Sequence, residues 1–200
     1  MVPSHSRNPA PRDMLTRRNF CVRTACSAVL LGSSPRLVDA AVDDRVHSLN
    51  YILGSPLYGT APLAEVLAEV AKTGAGAIDI WPRHHANHRE QLDQLGFEQA
   101  EQLLDKYNVR IGAITRYDLG PYRLHEEMPV LSRFGGELLI CGAGTSKGET
   151  LKQRVRAFVD SMAGQVAEAE KRDIKIGIEN HSNTLLATPD ALRYFADFIE

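Results

Sequence analysis

The 200-residue chain is long enough for one domain with a sizeable core and short for two. Its 44% hydrophobic and 24% charged residues exclude a disordered tail or a fibre, and 23 Lys plus Arg against 25 Asp plus Glu leave nothing global to draw it to nucleic acid. No apolar run approaches the roughly 18 residues that a membrane-spanning helix requires.

The N-terminus reads as an address before it reads as a fold. Thr16-Arg17-Arg18-Asn19-Phe20-Cys21-Val22 resembles the twin-arginine export motif, and an apolar segment, Ala25 to Gly32, follows it. Val38-Asp39-Ala40 ends the segment in small residues of the kind a signal peptidase cuts, so residues 1–40 are expected to be a signal peptide recognised by the twin-arginine export machinery. The protein would then be periplasmic or extracellular, with residues 41–200 as its folded domain. Six of the basic and two of the acidic residues would leave with the segment, taking the remainder to net −6 and further from a phosphate-backbone partner. Cys21 and Cys26 would leave too, so Cys141 would have no internal disulfide partner.

From Ser48 onward, β-rich runs alternate with helical patterns. Strands are predicted at Leu49–Leu53, Ala77–Trp81, Arg110–Thr115, Glu137–Cys141 and Lys175–Glu179, spaced by about one strand plus one crossover helix. Leu63, Val66, Leu67 and Val70 share one face of the first helix, which stops at Thr73-Gly74. Asn87 and Glu90 form a capping pair for the next, which breaks near Gly96 and resumes through Ala100, Leu103 and Leu104. Tyr122 to Phe134 is a weak helix interrupted by Pro129. A long stripe runs from Leu151 through Val155, Phe158, Met162 and Val166 to Ala169. The last helix opens at Thr188-Pro189-Asp190 and is expected to bury Leu192, Phe195 and Ile199.

Five such units predict a parallel sheet covered by helices. One arrangement is a partial (β/α)8 TIM barrel of about five strand–helix units; the alternative is an open five-stranded doubly wound sheet. Because the sequence stops at Glu200 inside a helix that has just begun, a barrel ended after its fifth unit is the favoured expectation. Its unpaired strand edges would invite self-association.

The most informative segment is Lys175-Ile176-Gly177-Ile178-Glu179-Asn180-His181. Alternation places Ile176 and Ile178 toward the helices and Gly177, Glu179 and His181 on the opposite face. Glu179 would thus stand at the C-terminal end of its strand, where ligands gather in parallel α/β folds, and a buried acid there is explained most simply by a cation. The run from Gly177 to His181, followed by Thr188-Pro189-Asp190-Ala191-Leu192, resembles the fifth strand and following helix of xylose isomerase-like barrels, which include sugar phosphate isomerases and epimerases. Ile78-Asp79-Ile80-Trp81-Pro82 is similar to the second strand of that superfamily, which commonly ends in an inward acid.

The resemblance implies a divalent metal, Mn, Mg, Co or Zn, held by Glu179 together with an acid, a His and a second Glu from later strands. This chain would therefore supply only part of the shell. It also implies a sugar or sugar derivative as substrate, with metal-assisted proton transfer next to a carbonyl through an enediolate and Glu179 as ligand and one acid/base. Asn180 and His181 would contact substrate hydroxyls. His84 and His88, four residues apart, are compatible with substrate contact, with metal binding or with a plain surface loop. Arg116 and Tyr117 could bind a sugar or its phosphate, or be rim residues. Two further readings stay open: an endonuclease-IV-like hydrolase, which predicts a basic groove and a His-rich metal site, and a non-catalytic binding domain.

Overall fold

The structure, a computed structural model, describes residues 50–199. The export motif, its apolar segment, the cleavage position at Ala40 and the expected strand start at Leu49 lie outside the described residues. No helix among the described residues is long and apolar enough to cross a membrane.

Five parallel strands, β1 (Ile52–Gly54), β2 (Ala77–Ile80), β3 (Arg110–Thr115), β4 (Leu138–Gly142) and β5 (Lys175–Glu179), pair in the order β1-β2-β3-β4-β5. The crossovers carry α1 (Leu63–Lys72), α2 (His88–Leu95), α3 (Phe97–Tyr107), α4 (Met128–Arg133), α5 (Leu151–Ser161) and α6 (Ala163–Glu170), and α7 (Pro189–Ile199) follows β5. Strand order equal to chain order means that successive right-handed crossovers all cover the same face of the sheet. A doubly wound sheet reverses its strand order part-way to cover both faces, so that alternative does not describe this chain. The architecture is five units of a barrel whose sheet is not closed among the described residues.

Helix boundaries follow local chemistry, with several departures from expectation, one being that the stripe from Leu151 to Ala169 is divided at Met162 between α5 and α6. Thr150 and Gln153 form the capping box, at the start of α5: the Gln153 N–H donates to Thr150 Oγ1 at 3.2 Å and the Thr150 N–H to Gln153 Oε1 at 3.0 Å. Asn87 precedes α2 without capping it, because its Oδ1 accepts from Gln91 Nε2 while Glu90 Oε1 accepts from the Arg83 N–H. The Tyr122–Phe134 stretch divides into a 3₁₀ turn, Leu124–Glu126, and α4, with Pro129 in the first turn where its missing N–H costs nothing. On α7 the apolar stripe is only partly used: Ala191 is buried, but Leu192 and Ile199 are exposed.

The core lies between the sheet and its helices, where Ile78, Ile80, Ile111, Ile114, Leu139 and Cys141 pack against α1, α3 and α5. Ile176 and Ile178 face the same layer and line an apolar cleft with Val159, Met162 and Phe195. The opposite, inner face is read from the register: Gly54, Asp79 and Ala113 are level with one another, and Gly142 is level with Glu179.

One irregularity decides what that inner face presents. Between β2 and β3 the register slips at Gly112, so Ile78 pairs with Ile111 but Asp79 pairs with Ala113. Such a bulge reverses the alternation beyond it. Ile114 therefore joins the helix-side core, and Thr115 is turned inward beside Asp79. Glycine suits the position, since a Cβ there would stand 2.9 Å from Ile52 Cδ1 and 3.0 Å from Ala77 Cβ.

Candidate active site at the strand ends

The C-terminal ends of the strands enclose a cavity of about 870 Å³ lined by residues of four of the five strand ends and the loops that follow them. Gly54 comes from β1, Asp79 from β2, Gly142 from β4 and Glu179 from β5; Pro56 and Leu57 follow β1, Trp81 and His85 follow β2, Tyr117 follows β3, and His181 and Thr184 follow β5. Glycines beside both acids in the register leave the carboxylates sterically clear.

The two carboxylates stand in different environments. Asp79 is 8% exposed, and its Oδ2 accepts from Trp81 Nε1 at 2.5 Å and from Thr115 Oγ1 at 2.8 Å. Its Oδ1 is buried without a partner. Burial pushes the Asp79 carboxyl up from its ordinary 3.8 to about 6, against the pull of those hydrogen bonds, and the negative charge of Glu179 pushes in the same direction. Glu179 is exposed and enters no hydrogen bond or ion pair among the described residues. The buried acid of the site is thus Asp79, and the desolvation reasoning first applied to Glu179 belongs to it. Among the described residues, β5 has no strand beyond it to cover Glu179.

Above Asp79 stands an aromatic wall. The Trp81 ring meets Tyr117 edge-on at 5.2 Å between centroids and His85 at 5.3 Å. The Trp81 backbone N–H donates to Ser55 Oγ at 3.0 Å, so the residue is fixed through both its backbone and its indole.

The expected site residues divide. Glu179 and His181 reach the cavity, with the His181 Nδ1 2.8 Å from the Ser182 carbonyl. Asn180 is exposed and is not part of the lining. His84 is exposed and its neighbour His85 lines the cavity instead, while His88 is buried in α2 with Nε2 3.0 Å from the Ala61 carbonyl, a structural bond. Arg116 is turned away from the cavity. Its guanidinium grips Asp118 with a two-pronged contact (Nε to Oδ1 2.9 Å, Nη2 to Oδ2 2.7 Å) and also binds buried Glu127, whose other oxygen binds Arg89. An arginine held by two carboxylates has little left for a ligand.

No group of three or more His, Cys, Asp or Glu side chains gathers to hold a metal among the described residues. Glu179 and His181, an oxygen and a nitrogen donor on one cavity, fit part of a divalent-metal shell.

The profile of the xylose isomerase-like TIM barrel family matches residues 67–200. The chain belongs to this family. No curated protein matches the sequence. Among solved structures, the IolI protein with a bound zinc atom is similar at 14% identity and TM-score 0.59, over 76% of this chain and 60% of that one. A xylose isomerase-like TIM barrel protein from Mycobacterium smegmatis in complex with magnesium is 16% identical, with TM-score 0.54 over 77% and 62%. The D-allulose 3-epimerase from Methylomonas sp. in complex with D-allulose is 19% identical, with TM-score 0.55 over 76% and 59%. This xylose isomerase-like chain thus spans about three fifths of the length of the structures it matches.

Sequence reasoning singled out Glu179 and His181 but gave Asp79 no role beyond resemblance; it named Tyr117 as a possible sugar contact but not its joining with Trp81 and His85 in one wall. The Thr115 contact had a legible signal: isoleucines three apart around Gly112, where an unbroken strand would space them by two.

Proposed function

We propose that this chain carries the first part of a sugar isomerase or epimerase site, in which Glu179 is a metal-binding carboxylate and Asp79 a proton-holding one. The observation that carries the reading is the convergence of two carboxylates of unlike burial on one aromatic-walled cavity at the C-terminal strand ends. Two acids whose environments separate their titration are the ordinary requirement for proton transfer next to a carbonyl.

A divalent ion at Glu179, with His181 near it, would act as a Lewis acid toward a sugar carbonyl and hydroxyl. Asp79, largely protonated below about pH 6, holds its proton at the buried, unpartnered Oδ1, while Trp81 and Thr115 fix its Oδ2. Glu179, exposed and without a partner among the described residues, presents its oxygens to a cation.

Mn²⁺ binding to the full chain, followed by water-proton relaxation, tests the ligand assignment, with D-allulose conversion measured alongside. Glu179→Gln is expected to weaken Mn²⁺ binding by about tenfold or more. Unchanged Mn²⁺ affinity in the variant would remove Glu179 from the metal site.

A further inference from the structure

Two loops carry the rings of the cavity wall, and one buried acid lies between the residues that hold them. Glu127, 2% exposed, precedes α4 and binds two guanidinium groups, Arg89 Nε with one oxygen and Arg116 Nη1 with the other. Arg89 sits in α2, where its backbone N–H donates to the Trp81 carbonyl at 3.1 Å. Arg116 and Asp118 flank Tyr117, and their two-pronged side-chain contact closes across the backbone of that residue. The Tyr117 carbonyl accepts from the Gly120 N–H at 3.2 Å, and the Arg116 N–H donates to the Ile140 carbonyl at 2.8 Å. A carboxylate this deep is costly to bury, and apolar side chains of similar volume would join helix and turn as firmly. What the ions add is direction, because charge-assisted bonds to a planar guanidinium fix angles as well as distance.

We propose that Glu127 is a positioning residue that sets the spacing of Trp81 and Tyr117, 5.2 Å between ring centroids, and so the shape of the aromatic wall. It is not among the lining residues and acts through its two arginines, which refer the segment after β2 and the segment after β3 to one common point. The inference holds whichever ligand the cavity takes, and so goes beyond the sugar-site reading. A wall held in place before the ligand arrives lowers the ordering cost of binding. Trp81 is anchored separately, by its indole to Asp79 and by its backbone to Ser55, so the ring expected to shift when Glu127 is lost is Tyr117.

Trp81 is the sole tryptophan of the sequence, so its near-ultraviolet circular dichroism and its quenching by acrylamide report the wall in the full chain. Tyr117→Leu gives the signal of Trp81 without its partner ring. Glu127→Gln and Arg116→Lys, which keeps the charge but not the fork, are each expected to move both readings from the wild-type value toward that level, with far-ultraviolet dichroism unchanged. Should Glu127→Gln not fold, Arg116→Lys carries the same comparison. In the Tyr117→Leu background neither substitution should move the readings further, because the ring they position is gone. A purely structural Glu127 would lower stability in urea yet leave the Trp81 signal of the folded protein at the wild-type value, and that outcome in the folded variants would overturn the proposal. Equal changes with and without Tyr117 would overturn it too, since Glu127 would then act on Trp81 by another route.

Discussion

Asp79→Asn should make the protein more stable at neutral pH, and the size of the gain follows from the site. Asp79 titrates near 6 in the folded chain and near 3.8 in the unfolded one. Below pH 4 the carboxyl is protonated in both states and burial costs no charge. As the pH rises, the unfolded chain releases its proton first, so folding loses stability between about pH 4 and pH 6.5 and keeps the full deficit above. The interval corresponds to about 3 kcal/mol at about 1.4 kcal/mol per pH unit. Asparagine fits the same space and can still accept from Trp81 and Thr115 through its oxygen, but it carries no charge to desolvate. His88 acts in the opposite sense, since burial holds it below its ordinary 6.5 and folding gains stability as the pH rises toward that value. The informative quantity is therefore variant minus wild type, from urea unfolding at a series of pH values, in which His88 cancels. The difference should grow by about 3 kcal/mol in favour of the variant between pH 4 and pH 7. A difference that stays flat across that range, or that moves against the variant, would refute the burial of an ionisable Asp79.

Two further substitutions test the frame that holds the cavity. Glu127→Gln removes the carboxylate shared by Arg89 and Arg116; because Asp93 and Asp118 still serve the two guanidinium groups, the loss should fall near the low end for a broken buried pair, about 3 kcal/mol by urea unfolding. A loss under about 1 kcal/mol would show that the network is not a buried unit. Gly112→Val forces side-chain atoms onto Ile52 and Ala77 at the bulge and should cost about 2 kcal/mol or more, read from the same unfolding curves. A neutral outcome there would mean that the register does not slip at Gly112.

The five-unit architecture was legible because most of its strands and helices announce themselves by period: Ile78 and Ile80 alternate, and Leu63, Val66, Leu67 and Val70 recur by threes and fours. Choosing between a barrel and a doubly wound sheet was not, since strand order is a property of non-local pairing that no local pattern encodes. Glu179 and His181 were legible from the same alternation, which needs only one strand to be regular. Which of the readings open for Arg116 applies was not legible, because its carboxylate partners come from Asp118, two residues on, and from Glu127 in a separate turn. The wall of Trp81, His85 and Tyr117 joins loops after two different strands, so their proximity exists only once β2 and β3 are paired.

That Asp79 and Glu179 share one cavity is most directly tested by following the Asp79 carboxyl carbon through a pH titration by NMR, in the wild type and in Glu179→Gln. The expected result is a midpoint near 6 in the wild type that moves down when the facing charge is removed. A midpoint near 4, or one indifferent to residue 179, would contradict the convergence of the two acids on a common ligand.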